Sequence, residues 1–189
     1  MSRIVEVDPA RLDRWVEGFA ARHDGVTRAD EPGRVVLDGG DGAHAVGETF
    51  EHQRIGLLLL RRGGHAVGRD EGGELLAHTC GTGYVQSRTK AGGWSQQRYA
   101  RRRGNQADGV VDKAVGLALR HLPHGSVDAL VVGGDRRLVG QALEDPRLTH
   151  LLDLPRRRMW DLPDPRLRVL AEAARRARSV RMELYEPAP

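Results

Sequence analysis

The chain has 189 residues, enough for one domain with a real hydrophobic core, and its mean hydropathy of -0.51 is typical of a soluble protein with a charged surface. No apolar run approaches the roughly 18 residues that a membrane helix needs, and the N-terminal residues lack the apolar core of a signal peptide. A single cysteine excludes an internal disulfide, so we expect a cytoplasmic protein without membrane association.

The net charge of +4 is modest, but the charges are unevenly distributed. Between Glu74 and Asp108 there is no acidic residue, although six cations and three aromatic residues occur there. Cations interleaved with aromatic side chains and glycines are typical of a surface that binds a phosphate-rich partner. The cations are Arg88, Lys90, Arg98, Arg101, Arg102 and Arg103, and the aromatic residues are Tyr84, Trp94 and Tyr99.

The first half of the chain predicts one helix followed by short strands. Asp8 and Pro9 form a favourable helix start, apolar residues then recur at helical spacing through Phe19, and Gly25 ends the element. After this helix, glycine-rich turns of the hairpin kind separate short apolar segments. We predict strands over Arg34–Leu37, Ala43–Phe50, Ile55–Arg62, His65–Arg69, Glu74–Thr79 and Tyr84–Thr89, with Ile55–Leu60 central because it is apolar on both faces.

A long helix is predicted from Ser95 to about His121. Its second half carries a buried stripe, whereas its opening turns are polar all round and must project from the body or face a polar partner. Gly104 weakens helicity by about 1 kcal/mol relative to Ala. A second interpretation therefore begins the helix near Gly104 and leaves the preceding glutamines in a loop.

The remaining elements predict an α/β fold that leans towards α+β. The sheet should be mixed, with an antiparallel N-terminal half and a βαβ C-terminal half. No long linker divides the chain, so we expect a single domain over residues 1–189, with a basic Gly/Gln loop and helix start at about 84–107. The later elements are Val127–Val132, Arg136–Leu143, Leu148–Leu154, Pro165–Ser179 and Val180–Tyr185. Arg156–Arg158, with Met159 and Trp160, fall in a Pro-bounded loop that we interpret as a second, weaker basic contact.

Metal, nuclease and serine hydrolase chemistry find little support. The close pairings of possible zinc ligands, His121 with His124 and His78 with Cys80, lack the three or four ligands that zinc needs, so we expect no metal and no cofactor. No GxSxG sequence indicates a serine nucleophile. Four carboxylates are close in sequence, as a two-metal nuclease requires, but strand alternation would scatter them, which favours a solvated hairpin. They are Asp38, Asp41, Glu48 and Glu51.

Three glycine-rich segments are candidates for phosphate loops. GGDGAHAVG and CGTGYVQS contain GxG-like matches, but neither joins a strand to a helix, so both signals are weak. VVGGDRRLVG has the strand–turn–helix context and can hold a phosphate at its helix N-terminus. Asp135 would occupy the capping position there and repel an anion, which favours structural capping.

Gln96 and Gln97 are the remaining candidates for chemistry. A glutamine amide both donates and accepts hydrogen bonds, so it can orient a water against an electrophile that is activated elsewhere. Gly92 and Gly93 let the backbone approach a partner without side-chain clashes. The alternative is a flexible, basic RNA-binding loop whose glutamines only form hydrogen bonds. Composition alone does not separate these two interpretations.

One segment, RTKAGGWSQQRYARRRGNQADG, resembles a known family. It is similar to the catalytic loop and following helix of the Vms-like peptidyl-tRNA hydrolases, which are relatives of the archaeal and eukaryotic class I release factors. The single-domain actinobacterial-type members are the most similar. The resemblance implies a release-factor catalytic-domain-like fold, with residues 1–189 as one catalytic domain. It implies that Gln96 is the catalytic glutamine. Gln97 stays a competitor, because release factors place glutamine directly after the glycines and here Trp94 and Ser95 intervene.

The resemblance also implies an activity and its partners. The activity is codon-independent hydrolysis of the peptidyl-tRNA ester, with the loop glutamine positioning water, so that nascent chains leave stalled large ribosomal subunits. The expected partners of this monomer are the large ribosomal subunit, rRNA and the peptidyl-tRNA acceptor end. Two alternatives stay open: an endonuclease that cuts near the tRNA 3′ CCA end, and a non-catalytic rRNA- and tRNA-binding factor of ribosome quality control. The RNA-binding residues would be Arg88, Lys90, Trp94, Arg98, Arg101, Arg102 and Arg103.

Overall fold

A computed structural model describes residues 2–83 and 95–186, with the backbone alone described for residues 95–107. The chain divides into two compact units. The first contains Met1–Glu51 and Arg175–Pro189, and the second contains His52–Ala174. The prediction of a single catalytic domain over residues 1–189 stays a prediction.

The first unit contains an antiparallel sheet of five strands. In pairing order these are β1 (Ser2–Val7), β10 (Val180–Tyr185), β4 (His44–Glu48), β3 (Arg34–Gly39) and β2 (Val26–Glu31). The predicted N-terminal helix is confirmed as a 3₁₀ turn, Pro9–Arg11, that continues into α1, Leu12–Ala20. Asp8 caps it, because its carboxylate accepts the Ala10 N–H at 2.9 Å. The apolar face of α1 is buried in the core of this unit.

The second unit contains a mixed five-stranded sheet. Its order is β7 (Glu74–Thr82), β6 (Gly64–Glu71), β5 (Arg54–Arg61), β8 (Ala129–Gly134) and β9 (Arg156–Met159). The first three strands pair antiparallel, and β5, β8 and β9 pair parallel. The predicted α/β class with antiparallel and βαβ halves is confirmed, although the strands are divided between two sheets. The centre of the second sheet is β5, which is buried from Ile55 to Leu60, as its apolar sequence predicted.

Helices cover both faces of the second sheet. α2 (Ser95–His121) packs on β5 and β6, and α3 (Arg136–Leu143) packs on β5 and β8. The predicted bounds of both helices are confirmed. The interpretation that begins the helix near Gly104 is wrong, because the backbone is already helical at Ser95. On the opposite face, α4 (Leu167–Ala177) places Leu170 against Gly68.

Several segments differ from the prediction. Arg156–Met159 do not form a Pro-bounded loop but β9, because the parallel ladder with β8 supplies their backbone hydrogen bonds. β1 and β2 were not predicted, and the predicted segment Leu148–Leu154 is a 3₁₀ helix over Pro146–Leu151. The predicted strand Tyr84–Thr89 lies outside the described residues. Within the described ranges, no helix is both long enough and apolar enough to cross a bilayer.

Candidate functional site

The structure describes the surroundings of the predicted catalytic segment but little of the segment itself. Gln96 and Gln97 lie in the first turn of α2, where the backbone is described and the side chains are not. The same holds for Arg98, Arg101, Arg102 and Arg103, which lie in the following turns. The roles assigned to all these residues stay predictions. The remaining predicted site residues lie outside the described part of the chain: Arg88, Lys90, Gly92, Gly93 and Trp94.

The chain leaves the described part of the second unit at Gly83, directly after β7. The Gly83 N–H donates to the Gly63 carbonyl in the β5–β6 turn at 2.8 Å. A Cβ at Gly83 would collide with the Arg62 carbonyl and lie 3.2 Å from Val110 Cγ2 of α2. This end of β7 therefore fits between the β5–β6 turn and α2 only because residue 83 has no side chain.

Gly81 makes a second close approach at the same end of β7. A Cβ at this position would lie 2.5 Å from two ring atoms of His65, whose side chain is buried on β6. Burial lowers the pKa of His65, and the nearby charge of Lys113 lowers it further. His65 is therefore neutral at pH 7 and fills space below the point where the chain leaves β7.

The second half of α2 anchors the helix to the sheet. Val110, Val111, Ala114 and Ala118 are buried in the core of this unit. Near the helix end, His121 Nε2 lies 2.8 Å from the Thr79 hydroxyl of β7. Burial, followed by the charge of Arg120, lowers the pKa of His121, so this ring pairs with Thr79 as a neutral group. The sheet therefore holds the second half of α2, which follows the predicted catalytic residues in the sequence.

The start of α2 favours a negatively charged partner. Its first turn contains no acidic residue, and the last acidic residue before it is Glu74. The first four N–H groups of any α-helix lack an intrahelical acceptor, and the helix dipole places partial positive charge there. A phosphate group near residues 95–98 would be stabilised by both effects.

Other candidate groups have structural roles. Among the described residues, no group of three or more histidines, cysteines, aspartates and glutamates could hold a metal ion. Asp38 Oδ1 lies 2.7 Å from His44 Nδ1, and Asp41 Oδ2 lies 2.9 Å from His23 Nδ1, so these two carboxylates have separate partners. Asp135 caps α3, because its Oδ1 accepts the N–H groups of residues 137 and 138. Structural capping of the GGD turn is therefore confirmed.

A family model described as the Actinobacteria/chloroflexi VLRF1 release factor matches residues 53–183. The chain belongs to this release-factor family. The matched residues include nearly all of the second unit and most of β10. The family resemblance that the sequence predicted is thereby confirmed. Membership of this family indicates a release function connected with the ribosome.

Structural comparison of this release-factor family member gives a weaker relationship. The crystal structure of an archaeal translation termination factor, aRF1, matches with a TM-score of 0.41 and 14% sequence identity. The alignment covers 94% of this chain and 67% of the archaeal one. A sequence comparison with curated proteins found no match.

Sequence reasoning missed the packing at the end of β7. The sequence CGTG gives a weak phosphate-loop signal, whereas in the structure Gly81 and Gly83 have closely packed neighbours. The available signal was a pair of glycines around the end of a strand, where glycine often marks the close approach of another part of the chain. His65 had no sequence signal of its own.

Proposed function

We propose that this release factor hydrolyses the ester between the nascent peptide and tRNA on stalled large ribosomal subunits, without reading a codon. One observation carries the proposal beyond family membership. The helix that holds Gln96 and Gln97 begins within the acid-free segment, and its second half is anchored to the sheet. This anchoring of the second half can hold the first helical turn towards a large partner.

In the proposed mechanism, Gln96 orients the attacking water. A glutamine amide has no useful pKa for proton abstraction, so it acts by donating and accepting hydrogen bonds at the water. The ribosome and the 2′-hydroxyl of the tRNA supply the remaining catalytic environment. Gly92 and Gly93 allow the backbone to enter the narrow space around the ester, and Gln97 is the alternative water-positioning residue.

The basic residues of the segment bind RNA in this proposal. Arg88, Lys90 and the arginines at 98 and 101–103 contact phosphates of rRNA and of the tRNA acceptor end, while Trp94 stacks on a base. The partial positive charge at the start of α2 adds to this attraction. The protein acts in the cytoplasm as a monomeric ribosome quality-control hydrolase, with residues 1–189 forming one catalytic domain.

The test uses purified large ribosomal subunits that carry a peptidyl-tRNA labelled in the peptide and at the tRNA 3′ end. The proposal predicts release of free peptide and a tRNA with an intact CCA end. A shortened tRNA would instead assign phosphodiester cleavage near that end. Binding to the subunit without any product would assign a non-catalytic factor. Either of these results contradicts ester hydrolysis.

A further inference from the structure

A basic cleft lies at the edge of the second unit, between α3 and β9. We call it the α3–β9 cleft, and its volume is about 360 Å³. Its apolar lining consists of Val132, Val139 and Leu143, and its polar lining includes Arg136, Arg158 and Trp160. This volume is at the small end of the range for ligand sites in proteins, which is about 300–1,000 Å³.

Local geometry brings these residues together. Arg156 and Arg158 have two-residue spacing, which places them on the same side of β9, and Trp160 follows directly after the strand. On α3, residues 136, 139, 140 and 143 have the spacing of one helical face. The helix packs mainly on β5 and β8, and β9 is the outer strand of the sheet. The cleft therefore forms where the helical layer ends and the sheet continues.

The cleft presents arginines that are available to a ligand. The guanidinium of Arg136 lies over the Trp160 ring, 5.4 Å from its centroid, in a cation–π contact. Arg156 is already engaged, because its Nη2 donates to the carbonyls of Leu151 and Leu152. Within the described part of the chain, Arg136 and Arg158 are exposed and form no ion pair, and no carboxylate lines the cleft.

We propose that the α3–β9 cleft binds one unpaired nucleotide of an RNA strand. Two arginine forks suit a phosphate, because each guanidinium can donate two parallel hydrogen bonds to its oxygens. When the Arg136 guanidinium turns from the Trp160 ring to a phosphate, the indole and the apolar lining suit the base and the ribose, which a free phosphate does not have. The choice of RNA as the occupant rests on the proposed function, which places the protein on a ribosome. A base within a duplex is stacked on both faces, so a single-stranded segment is required.

The test is fluorescence anisotropy of a labelled single-stranded RNA hexamer with the full chain, over a series of salt concentrations. Arg136→Ala combined with Arg158→Ala should weaken binding and reduce the slope of log affinity against log salt by about 1.4, since each phosphate contact contributes about 0.7 in single strands. The matched control, Arg137→Ala with Arg168→Ala, removes the same charge from exposed residues outside the cleft. It should leave affinity within about twofold, as surface substitutions usually do.

A third variant tests the aromatic part of the cleft. Trp160→Leu keeps an apolar side chain against the core and should weaken RNA binding by about fivefold or more, with an unchanged salt slope. Trp160→Phe keeps an aromatic ring and should therefore retain most of the affinity of the unaltered protein. Thermal unfolding of each variant checks that it is folded.

Any one of three results in these binding assays would contradict nucleotide binding by the α3–β9 cleft. These are an equal effect of the cleft and control pairs, an undiminished affinity of Trp160→Leu, or displacement of the hexamer by AMP or inorganic phosphate as effectively as by unlabelled hexamer. Double-stranded RNA that is as sensitive to Trp160→Leu as the hexamer would also contradict it. Because this assay contains no ribosomes, its failure is separate from a failure of peptide release by the unaltered protein.

Discussion

The ring of His65 packs so closely on Gly81 that a Cβ at residue 81 would lie 2.5 Å from His65 Cε1 and Nε2. Since His65 is buried on β6, its ring cannot swing into solvent to make room. Gly81→Ala should therefore lower the free energy of unfolding by about 1–3 kcal/mol, the usual cost of overpacking. Urea denaturation measures this change.

Gly116→Ala is the matched control for that substitution. Gly116 is an exposed residue of α2, and a Cβ there would have no neighbour within 4 Å. The same added methyl group should raise the free energy of unfolding by about 0.5–1 kcal/mol, because alanine is the better helix former. Equal destabilisation by the two changes would show that the Gly81 contact has no specific effect.

Stability should fall in mild acid because of His65 and His121. Burial is the main cause that lowers the pKa of each imidazole below its ordinary value of 6.5. The unfolded chain then binds protons more readily than the folded one, so the contribution of these two histidines to the free energy of unfolding decreases as pH falls through about 6.5. In urea denaturation between pH 7.5 and 5.5, His65→Gln should show a shallower pH dependence than the unaltered protein. An identical slope would contradict the role of His65.

The hydrogen bond between Thr79 and His121 should stabilise the attachment of α2 to β7. Thr79→Val keeps the shape of the side chain but removes the hydroxyl 2.8 Å from His121 Nε2. The free energy of unfolding should fall by about 1 kcal/mol, the typical net value of such a bond. Thr27→Val, on the exposed strand β2, is the control and should change it by less than about 0.5 kcal/mol. Equal changes at the two positions would contradict this account.

The arginines at the start of α2 should determine how RNA binding depends on salt. Arg101→Ala and Arg102→Ala should each weaken binding to the large ribosomal subunit and reduce the salt slope by about 0.7–0.9, the contribution of one phosphate contact. Arg120→Ala removes an exposed arginine from the other end of the same helix and should leave the slope unchanged. Filter binding over a salt series provides the measurement. Equal slopes for all three variants would contradict phosphate contacts in the first turns.

The sequence predicted elements that carry their own local signals. α3 has its bounds because Asp135 caps it and apolar residues follow at helical spacing. β2 has no such signal: only Val26 is partly buried and the other residues are exposed, so alternation is absent. β9 is arginine-rich and becomes a strand through its ladder with β8. The division into two sheets depends on the distant pairing of β10 with β1 and β4.

The candidate sites, like the helices and strands, were predictable only where their signal is local in the sequence. The basic segment with Gln96 was found from sequence because its residues are contiguous and the absence of acid there is local. The α3–β9 cleft was missed in its present form because Arg136 and Trp160 are 24 residues apart in sequence, and only the folding of β9 beside β8 brings them together. The predicted loop over Arg156–Arg158 is wrong because these residues form β9, and the basic contact assigned to them stays a prediction.

Peptide release by glutamine variants tests the central claim most directly. Gln96→Ala and Gln97→Ala, alone and combined, are compared with the unaltered protein at saturating concentration on large subunits loaded with labelled peptidyl-tRNA, and subunit binding is measured in parallel. Gln96→Ala should lower the release rate by about 100-fold or more, the usual loss when a positioned polar group is removed from a reaction site, and leave binding within twofold. Release by the combined variant at the unaltered rate would contradict catalysis by a glutamine of α2.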